Sequence, residues 1–160
     1  MKKIKIESDF TVYDSLEELP ENARSLMQKA IKARDKAYAP YSNFYVGAAV
    51  LLDNGQFVTG SNQENASYPS GLCAERTAIF YAGSKYPDAK VKILAITAAS
   101  QNQKTLEPIP PCGACRQTIS EYEIKQGQPI EIYFMGEYGD IIKSDSLENL
   151  LPFVFKKSAL

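Results

Sequence analysis

GLCAERTAIF (residues 71–80) and PIPPCGACRQTI (residues 108–119) contain all three cysteines of this 160-residue chain, which has no histidine. Helices are predicted to begin at Cys73 and just after Cys112, so the thiols lie at the first turns of two helices. Three cysteines leave one unpaired after a disulfide, and they are one ligand short of a closed zinc cage. What these thiols hold is the first question that the sequence raises.

The cysteine pattern is not typical of a disulfide framework. The lysines of MKKIKIESDF (residues 1–10) are not followed by the apolar run of an export signal, so we expect a reducing cytoplasmic location, where thiols stay free. Taken alone, the C-x-x-C pair of Cys112 and Cys115 fits half a zinc site, a redox dithiol or two buried thiols. A proline-rich loop precedes the pair and a third cysteine lies elsewhere, which favours zinc over a thioredoxin-like motif.

The number of ligands predicts an open zinc site. Structural zinc is almost always held by four protein ligands, whereas catalytic zinc has three and keeps one position for water. Here the fourth position stays open unless a carboxylate or another subunit fills it. Glu75 follows Cys73 by two residues and could face that water, although acids in a first helical turn more often only complement the helix dipole. Arg76 could donate to a cysteine sulfur, or it could be a solvated surface residue.

The composition is that of an ordinary globular chain. Apolar residues make up 44% of it, and 18 lysines and arginines against 19 acids give a net charge of −1. Binding of a nucleic acid requires a basic surface that releases counterions, so we expect no nucleic-acid partner. No window approaches the roughly 20 apolar residues of a membrane span, so we expect no membrane partner either. Without a linker or repeat, residues 1–160 are predicted to form a single domain.

Hydrophobic periodicity predicts alternating helices and strands. Helices are predicted over residues 20–38, opened by a capping box of Ser15 and Glu18, over residues 73–82, ended by Gly83, and over residues 114–122. Strands are predicted at residues 46–52, 56–59, 91–99, 130–135 and 141–144, with a short alternating strand in residues 1–10 and a hairpin turn at residues 53–55. This order predicts an α/β fold, a three-layer α/β/α sandwich whose mixed central sheet has about five strands.

The sequence C-A-E at residues 73–75, followed by P-C-x-x-C at residues 111–115, resembles the zinc-dependent cytidine deaminases. PYSNFYVGAAV, GSNQENASY, PCGACRQTIS and LLPFVF occur in the order and at the approximate spacing of that family, over roughly residues 20–155. The spacing from Cys73 to Cys112 is at the long end for the family, and residues 1–15 resemble an extension that its smallest members lack. The resemblance implies one Zn²⁺ per subunit and a homotetramer with shared active sites.

The resemblance also implies roles for individual residues. Cys73, Cys112 and Cys115 match the zinc ligands, Glu75 matches the proton shuttle, and Arg76 would support a ligand sulfur. The positions that match substrate-binding residues are Phe44, which would pack on the pyrimidine ring; Asn62 and Glu64, which would bind the ribose hydroxyls; Ala66 and Tyr68, which would approach the substrate across a subunit boundary; Ala74; and Phe155, which would reach a neighbour's pocket.

The implied activity is hydrolytic deamination of cytidine and 2′-deoxycytidine to uridine and 2′-deoxyuridine, with release of ammonia, in pyrimidine salvage. One alternative is a deaminase of a related cytosine nucleoside such as blasticidin S. A deoxycytidylate or polynucleotide deaminase would need basic residues for phosphate, which neither the net charge nor any cluster near the motifs provides. A non-catalytic zinc-stabilised module is the third alternative, and a fourth protein ligand would favour it.

Overall fold

Strands and helices alternate along the chain, for which a computed structural model describes residues 1–157 and 160. The helices are α1 (Glu21–Arg34), α2 (Ala74–Lys85) and α3 (Gly113–Gln126). Within these residues, none of the helices combines the length and the apolar character that a membrane span requires. The strands are β1 (Thr11–Tyr13), β2 (Phe44–Leu52), β3 (Phe57–Ser61), β4 (Val91–Ser100), β5 (Glu131–Met135) and β6 (Ile141–Ser144), and 3₁₀ turns occupy Leu16–Glu18, Tyr68–Ser70 and Leu147–Asn149.

The strands form one mixed sheet in the order β1-β6-β5-β4-β2-β3. β4 and β5 are parallel, and the other neighbouring pairs are antiparallel. β2 and β3 form the hairpin predicted at residues 53–55, with Ala49 opposite Thr59. The predicted α/β/α sandwich with a mixed sheet is confirmed, but the sheet has six strands instead of about five.

The sheet separates two apolar cores. Because successive side chains of a strand point to opposite faces, Ala48 and Val50 of β2 join the core under α2 and α3, whereas Ala49 and Leu51 join the core under α1. α1 buries one stripe on its side of the sheet. That stripe consists of Ala23, Leu26, Met27 and Ala30. The helices α2 and α3 therefore share one face of the sheet, and α1 covers the other.

The extra strand comes from the N-terminal extension, at a different place from the one predicted. Residues 1–10 contain no strand, because their alternating isoleucines have nothing to pack on: Ile4 is 82% exposed and Ile6 is 46% exposed. The strand lies at Thr11–Tyr13 and pairs antiparallel with β6. There the Tyr13 ring lies 6.4 Å from the ring of buried Tyr133. Packing on Tyr133 therefore fixes the added strand at the sheet edge.

The first helix begins where predicted, but its predicted capping box and its predicted end are wrong. The capping box does not form, because Ser15 makes no side-chain cap bond and Glu18 instead accepts from the backbone N–H of Asp14 at 2.9 Å. α1 begins after Pro20 and ends at Arg34 rather than at Tyr38. The chain leaves the helix because the Tyr38 N–H donates to the Asn62 carbonyl at 3.0 Å, beside the end of β3.

The sequence predicted that Gly83 ends the second helix, but it does not. α2 continues to Lys85, and a Cβ atom on Gly83 would lie 2.5 Å from the hydroxyl oxygen of Tyr122 in α3. The glycine therefore makes room for the packing of α3 on α2 instead of acting as a cap. α3 is also longer than predicted, since it runs to Gln126 and ends at Gly127 in the left-handed conformation.

Glu123 connects α3 to the last part of the sheet. Its Oε1 atom accepts from the backbone N–H of Ile130 at 2.7 Å and from that of Leu147 at 2.9 Å. Its Oε2 atom accepts from the hydroxyl of Ser146 at 3.2 Å. One carboxylate thus satisfies donors at the entrance to β5 and at the turn that follows β6, which fixes both to the helix.

We predict that Glu123→Ala lowers the free energy of unfolding by about 2–4 kcal/mol, because it leaves partly buried backbone N–H groups without an acceptor. Glu123→Gln keeps one acceptor oxygen and should cost roughly 1 kcal/mol. Urea denaturation followed by circular dichroism measures both values. Glu121→Ala, on the exposed side of the same helix, is the control. An equal loss for Glu121→Ala and Glu123→Ala would show that the contacts of Glu123 contribute nothing specific.

Candidate active site

The three cysteines meet because two strand–helix units begin at the same edge of the sheet. β3 and β4 both pair antiparallel with β2, so they run in the same direction. The segment after β3 reaches Cys73 at the start of α2, and the loop after β4 reaches Cys112 at the start of α3. Since both helices cover the same face, thiols 39 positions apart come together outside the carboxyl ends of these strands.

Gly60 in β3 sets how closely the first turn of α2 approaches the sheet. A Cβ atom at this position would lie 2.5 Å from the carbonyl oxygen of Ala74 and 2.5 Å from the backbone nitrogen of Ala78. Only glycine allows helix and strand to pack backbone against backbone in this way. Glu75 lies in this first turn of α2, so the packing on β3 sets how far its side chain lies from the sheet.

The thiol cluster fits a zinc ion. The Sγ atoms of Cys73, Cys112 and Cys115 all lie within 4.8 Å of one another, and those of Cys73 and Cys112 are 3.7 Å apart. Sulfurs that bind tetrahedral zinc at about 2.3 Å lie about 3.8 Å apart, so this spacing suits the metal. Among the described residues, no further Cys, His, Asp or Glu belongs to the cluster. The donor set is therefore three thiols with one coordination position left over.

Arg76 contacts the thiol cluster and is only partly exposed. Its Nη2 atom donates to the Sγ atom of Cys73 at 3.6 Å. A hydrogen bond from the Cys115 thiol, together with the Arg76 guanidinium, lowers the pKa of Cys73 to about 5. The cysteine at the start of α2 is therefore held as a thiolate, which is the form that binds zinc.

Glu75 is a buried carboxyl group beside the thiols. It lies in the first turn of α2 and is only 4% exposed. Burial raises the pKa of Glu75 to about 7, and the negative charge on Cys73 acts in the same direction. An acid in a first helical turn that served only the helix dipole would lie in solvent, where its charge costs little. The burial of Glu75 therefore favours a chemical role.

A cavity of about 760 Å³ opens beside the thiols and Glu75. Its walls combine the candidate metal site with apolar side chains and with polar groups from the segments before β2 and after β3. The lining includes Cys73, Glu75, Arg76 and Cys112; the apolar Phe44, Val46, Leu72, Ile96, Ile109 and Pro110; and the polar Ser42, Asn62, Glu64 and Tyr68. A flat apolar group with a polar substituent could therefore lie between the metal site and the polar wall.

Asn62 and Glu64 are held in place by the chain that leads into β2. The Asn62 amide donates to the Phe44 carbonyl and accepts from the Val46 N–H, both at 2.8 Å. Glu64 accepts from the Tyr41 N–H at 2.9 Å and from the hydroxyl and N–H of Ser42. Hydrogen bonds from the Ser42 hydroxyl and these N–H groups hold the pKa of Glu64 below its usual range.

Both side chains keep capacity for a ligand. The Asn62 amide uses one of its two N–H donors, and the Glu64 carboxylate has a fourth acceptor position. They therefore offer one donor and one acceptor, in fixed positions, to a group in the cavity.

Three of the residues matched by resemblance lie outside this cavity. Ala66 is exposed, Phe155 is 61% exposed, and Ala74 is fully buried under the helix start. Tyr68 does line the cavity, and its ring lies 6.0 Å from that of Tyr41. Within a single chain, the structure therefore brings the thiol cluster and Glu75 together with Asn62 and Glu64 around one cavity. It does not bring Ala66, Ala74 or Phe155 to that cavity.

The sequence analysis did not single out several residues that orient Glu64 or form the wall of the cavity. Tyr41 and Ser42 orient Glu64, and Ile109 and Pro110 form the wall beside Cys112. The run P-Y-S-N-F carried a signal for the first pair, since a serine between proline and asparagine is typical of a turn with free N–H groups. Nothing in the sequence pattern distinguished Ile109 from the other apolar residues of the long loop.

Comparison with known proteins gives one consistent result. A model of the cytidine and deoxycytidylate deaminase zinc-binding region matches residues 20–128. A cytidine deaminase of Halalkalibacterium halodurans is 41% identical over 130 residues, which is 81% of this chain and 91% of that protein. One of Sporosarcina psychrophila is 39% identical over 139 residues, 87% of this chain and 95% of that protein. The crystal structure of cytidine deaminase from Burkholderia pseudomallei has a TM-score of 0.71 at 37% identity, covering 86% of this chain and 100% of that one.

The fold and the thiol cluster define a class of protein: an α/β/α sandwich with a three-thiol cluster that fits zinc at the carboxyl edge of a mixed sheet. Within that class, the chain belongs to the cytidine and deoxycytidylate deaminase family, and zinc is its metal cofactor. The resemblance inferred from the sequence motifs is confirmed.

We predict that the purified protein contains one zinc ion per chain and that Cys112→Ser loses most of it. The exposed Cys112 side chain supports no core packing, so removal of its thiol should weaken zinc binding with little direct effect on folding. Elemental analysis after dialysis against a weak chelator measures the metal, and circular dichroism checks the fold. A Cys112→Ser protein that keeps a full zinc ion would remove this residue from the ligand set.

Proposed function

We propose that the chain is a zinc-dependent cytidine deaminase, which converts cytidine and 2′-deoxycytidine with water to uridine or 2′-deoxyuridine and ammonia. The observation that carries the proposal is the burial of Glu75 beside a three-thiol cluster, in a cavity that also presents Asn62 and Glu64. The two cytidine deaminases named above, which this chain matches over nearly their full length, support the same activity.

Cys73, Cys112 and Cys115 would hold the metal. Bound zinc supplies a Lewis acid that lowers the pKa of water, so that hydroxide is available near neutral pH. Cys73 and Cys112 lie at the N-terminal ends of α2 and α3, where the helix dipole favours negative charge, and Arg76 donates to Cys73. These contacts offset part of the negative charge of three sulfurs.

Glu75 would move two protons. Its carboxylate takes a proton from the attacking water and gives it to N3 of cytosine, which makes C4 electrophilic. After the hydroxide has added to C4, Glu75 takes the proton of that new hydroxyl group and gives it to the amino group. The C4–N bond then breaks, ammonia leaves, and the C4 carbonyl of uridine remains. A carboxyl group shielded from solvent can serve as base and acid in turn without losing its proton to bulk water.

The walls of the cavity would orient the nucleoside. Phe44 would pack on the pyrimidine ring, and Asn62 and Glu64 would donate to and accept from the ribose hydroxyls. Ala74 is buried at the helix start, so any contact that it makes with the base would come from its backbone. This assignment explains why Asn62 and Glu64 are held so firmly, because a fixed donor and acceptor lose little entropy on binding.

Ala66, Tyr68 and Phe155 would complete the site of a neighbouring subunit. Ala66 and Phe155 are exposed and lie outside their own chain's cavity, and Tyr68 is 76% exposed at its rim. We therefore propose a homotetramer with shared active sites, working in the cytoplasm on a small nucleoside. Residues 1–160 would form one domain.

The alternative substrates and roles are less consistent with the site. A nucleotide or polynucleotide substrate would need cations for phosphate, but Arg76 is the only lysine or arginine that lines the cavity in the described part of the chain, and it faces Cys73. A purely structural zinc site would have four protein ligands, and the cluster has three. Asn62 and Glu64 favour a plain ribose over the altered sugar of blasticidin S.

We predict that Glu75→Gln keeps zinc but lowers kcat for cytidine by several orders of magnitude, because glutamine cannot accept and return a proton. The decrease in ultraviolet absorbance as cytidine is consumed measures turnover, and elemental analysis measures the metal. Glu121→Gln, an exposed glutamate on α3, is the matched control and should behave as the unsubstituted protein. Near-normal turnover by zinc-loaded Glu75→Gln would refute the role of Glu75.

We predict that Glu64→Gln raises KM for cytidine about tenfold or more and changes kcat little, since a charge-assisted hydrogen bond to ribose is worth about 1.5–3 kcal/mol. Steady-state kinetics with cytidine separates the two constants. Cytidine 5′-monophosphate, assayed in parallel, should be turned over at least about a hundredfold less efficiently. An unchanged KM for Glu64→Gln would mean that this carboxylate only holds the Tyr41–Ser42 turn.

A further inference from the structure

Arg116 has contacts that the proposed mechanism does not use. It lies in the first turn of α3, directly after Cys115, and is partly buried. Its Nε atom donates to the carbonyl of Pro111 at 2.8 Å, and its Nη1 atom donates to the carbonyl of Leu150 at 2.8 Å. One guanidinium therefore joins the loop before Cys112 to the C-terminal segment, residues 150–155.

The contact with Pro111 controls the backbone around Cys112. The Pro111 carbonyl belongs to the peptide group that enters Cys112, and the backbone N–H of Arg116 donates to the carbonyl of Cys112 at 2.9 Å. The peptide groups on both sides of this cysteine are thus hydrogen-bonded to one residue. The backbone bond is part of any helix start, but the side-chain bond depends on arginine.

Cys112 needs this support more than the other two cysteines. Cys115 is buried inside α3, and Cys73 is partly buried where α2 packs on β3. Cys112 is exposed and follows a loop whose residues 101–110 are mostly exposed. A thiol at the end of such a loop keeps its position only if the backbone that carries it is held.

The second contact ties the C-terminal segment to the same helix. Leu150 follows the Leu147–Asn149 turn, and from there the chain runs to Phe155. The neighbouring residue on α3, Gln117, donates through Nε2 to the Phe155 carbonyl at 3.0 Å. Two adjacent residues of α3 therefore hold both ends of residues 150–155 next to the loop that carries Cys112.

We infer that Arg116 is a positioning residue, which fixes Cys112 as a zinc ligand and couples that ligand to the C-terminal segment. The inference rests on the proposed zinc site. In the described part of the chain, Arg116 has no carboxylate within 4.0 Å, so its guanidinium acts through the geometry of its donors and not by neutralising an acid. A planar guanidinium presents several N–H groups in fixed directions, and a single ammonium group does not.

The test measures zinc release, which does not depend on catalysis. Zinc-loaded protein is mixed with an excess of a colorimetric chelator, and the rate of metal transfer is followed for the unsubstituted chain, Arg116→Ala and Arg116→Lys. We expect Arg116→Ala to release zinc about tenfold faster or more, as is typical when a residue that orients a ligand is removed. Arg116→Lys keeps the charge and should recover at most part of the slow release.

Three control variants separate positioning from loss of stability. Arg24→Ala removes an arginine that pairs with Glu21 on α1 and should release zinc at the unsubstituted rate. Glu123→Ala lowers stability through contacts away from Cys112, and Gln117→Ala frees only the Phe155 end of the C-terminal segment. Both should release zinc within about twofold of the unsubstituted rate, because a ligand held by intact neighbours keeps its affinity.

Unchanged zinc release by Arg116→Ala would overturn the inference, as would faster release by Glu123→Ala to the same degree. If Arg116→Ala does not fold, Arg116→Lys decides: faster release supports the inference, and an unchanged rate overturns it. If the unsubstituted protein binds zinc without deaminating cytidine, the proposed function fails, while the effect of Arg116 on zinc release is still measured.

Discussion

Three sulfurs from two helix starts must reach one point, and much of the molecule is arranged around that requirement. β3 and β4 run in the same direction, and their helices cover the same face, so the two starts lie at one edge. Gly60 brings the first turn of α2 onto β3. The long loop before α3 is held at Thr105, whose carbonyl accepts from the Glu137 N–H at 2.7 Å in the turn after β5. If either helix started a turn later, its thiol would no longer reach the cluster.

The charges at this edge depend on one another. Hydrogen bonds from Cys115 and Arg76 hold Cys73 as a thiolate. Glu75, two residues further along the chain, is buried, and burial of an anion is costly. Two negative groups in so little solvent destabilise each other unless a cation lies between them. A divalent cation held by the three thiols would offset this excess of negative charge. The same reasoning explains why Arg76 turns inward, since the cluster has an excess of negative charge.

The sequence predicted the parts of this structure that follow from periodicity and from the chemistry of single residues. Alternation and apolar runs located β2, β4, β5 and β6, and the thiol count indicated an open metal site. Periodicity could not locate β1. Residues 1–10 alternate as well as residues 11–13 do but have no surface to pack on, whereas the Tyr13 ring packs near that of Tyr133. Gly83 misled the prediction for a similar reason: its purpose is contact with Tyr122 on another helix, which no local pattern contains.

The candidate site divides in the same way. Ligand type and spacing predicted the cysteines and Glu75, because zinc and proton transfer require particular side chains at particular distances. The residues that hold these groups, such as Tyr41 for Glu64 and Arg116 for Cys112, act by hydrogen bonds to or from the backbone. Many sequences could provide such a bond, so its partners become visible only in three dimensions. A match of motifs therefore predicts the reacting groups more reliably than it predicts what positions them.

The C-terminal segment connects the candidate metal site with the proposed subunit contacts. Phe155 is exposed and does not line the cavity of its own chain, and its carbonyl accepts from Gln117, next to Arg116. In a homotetramer of the proposed kind, the ring of Phe155 would lie in the cavity of one subunit while its backbone contacts the metal side of another. Arg116 holds the carbonyls of both Leu150 and Pro111, so the segment that would reach the neighbouring subunit is anchored beside a candidate zinc ligand. Subunit contact and metal binding would in this way stabilise the same short segment, so each would strengthen the other.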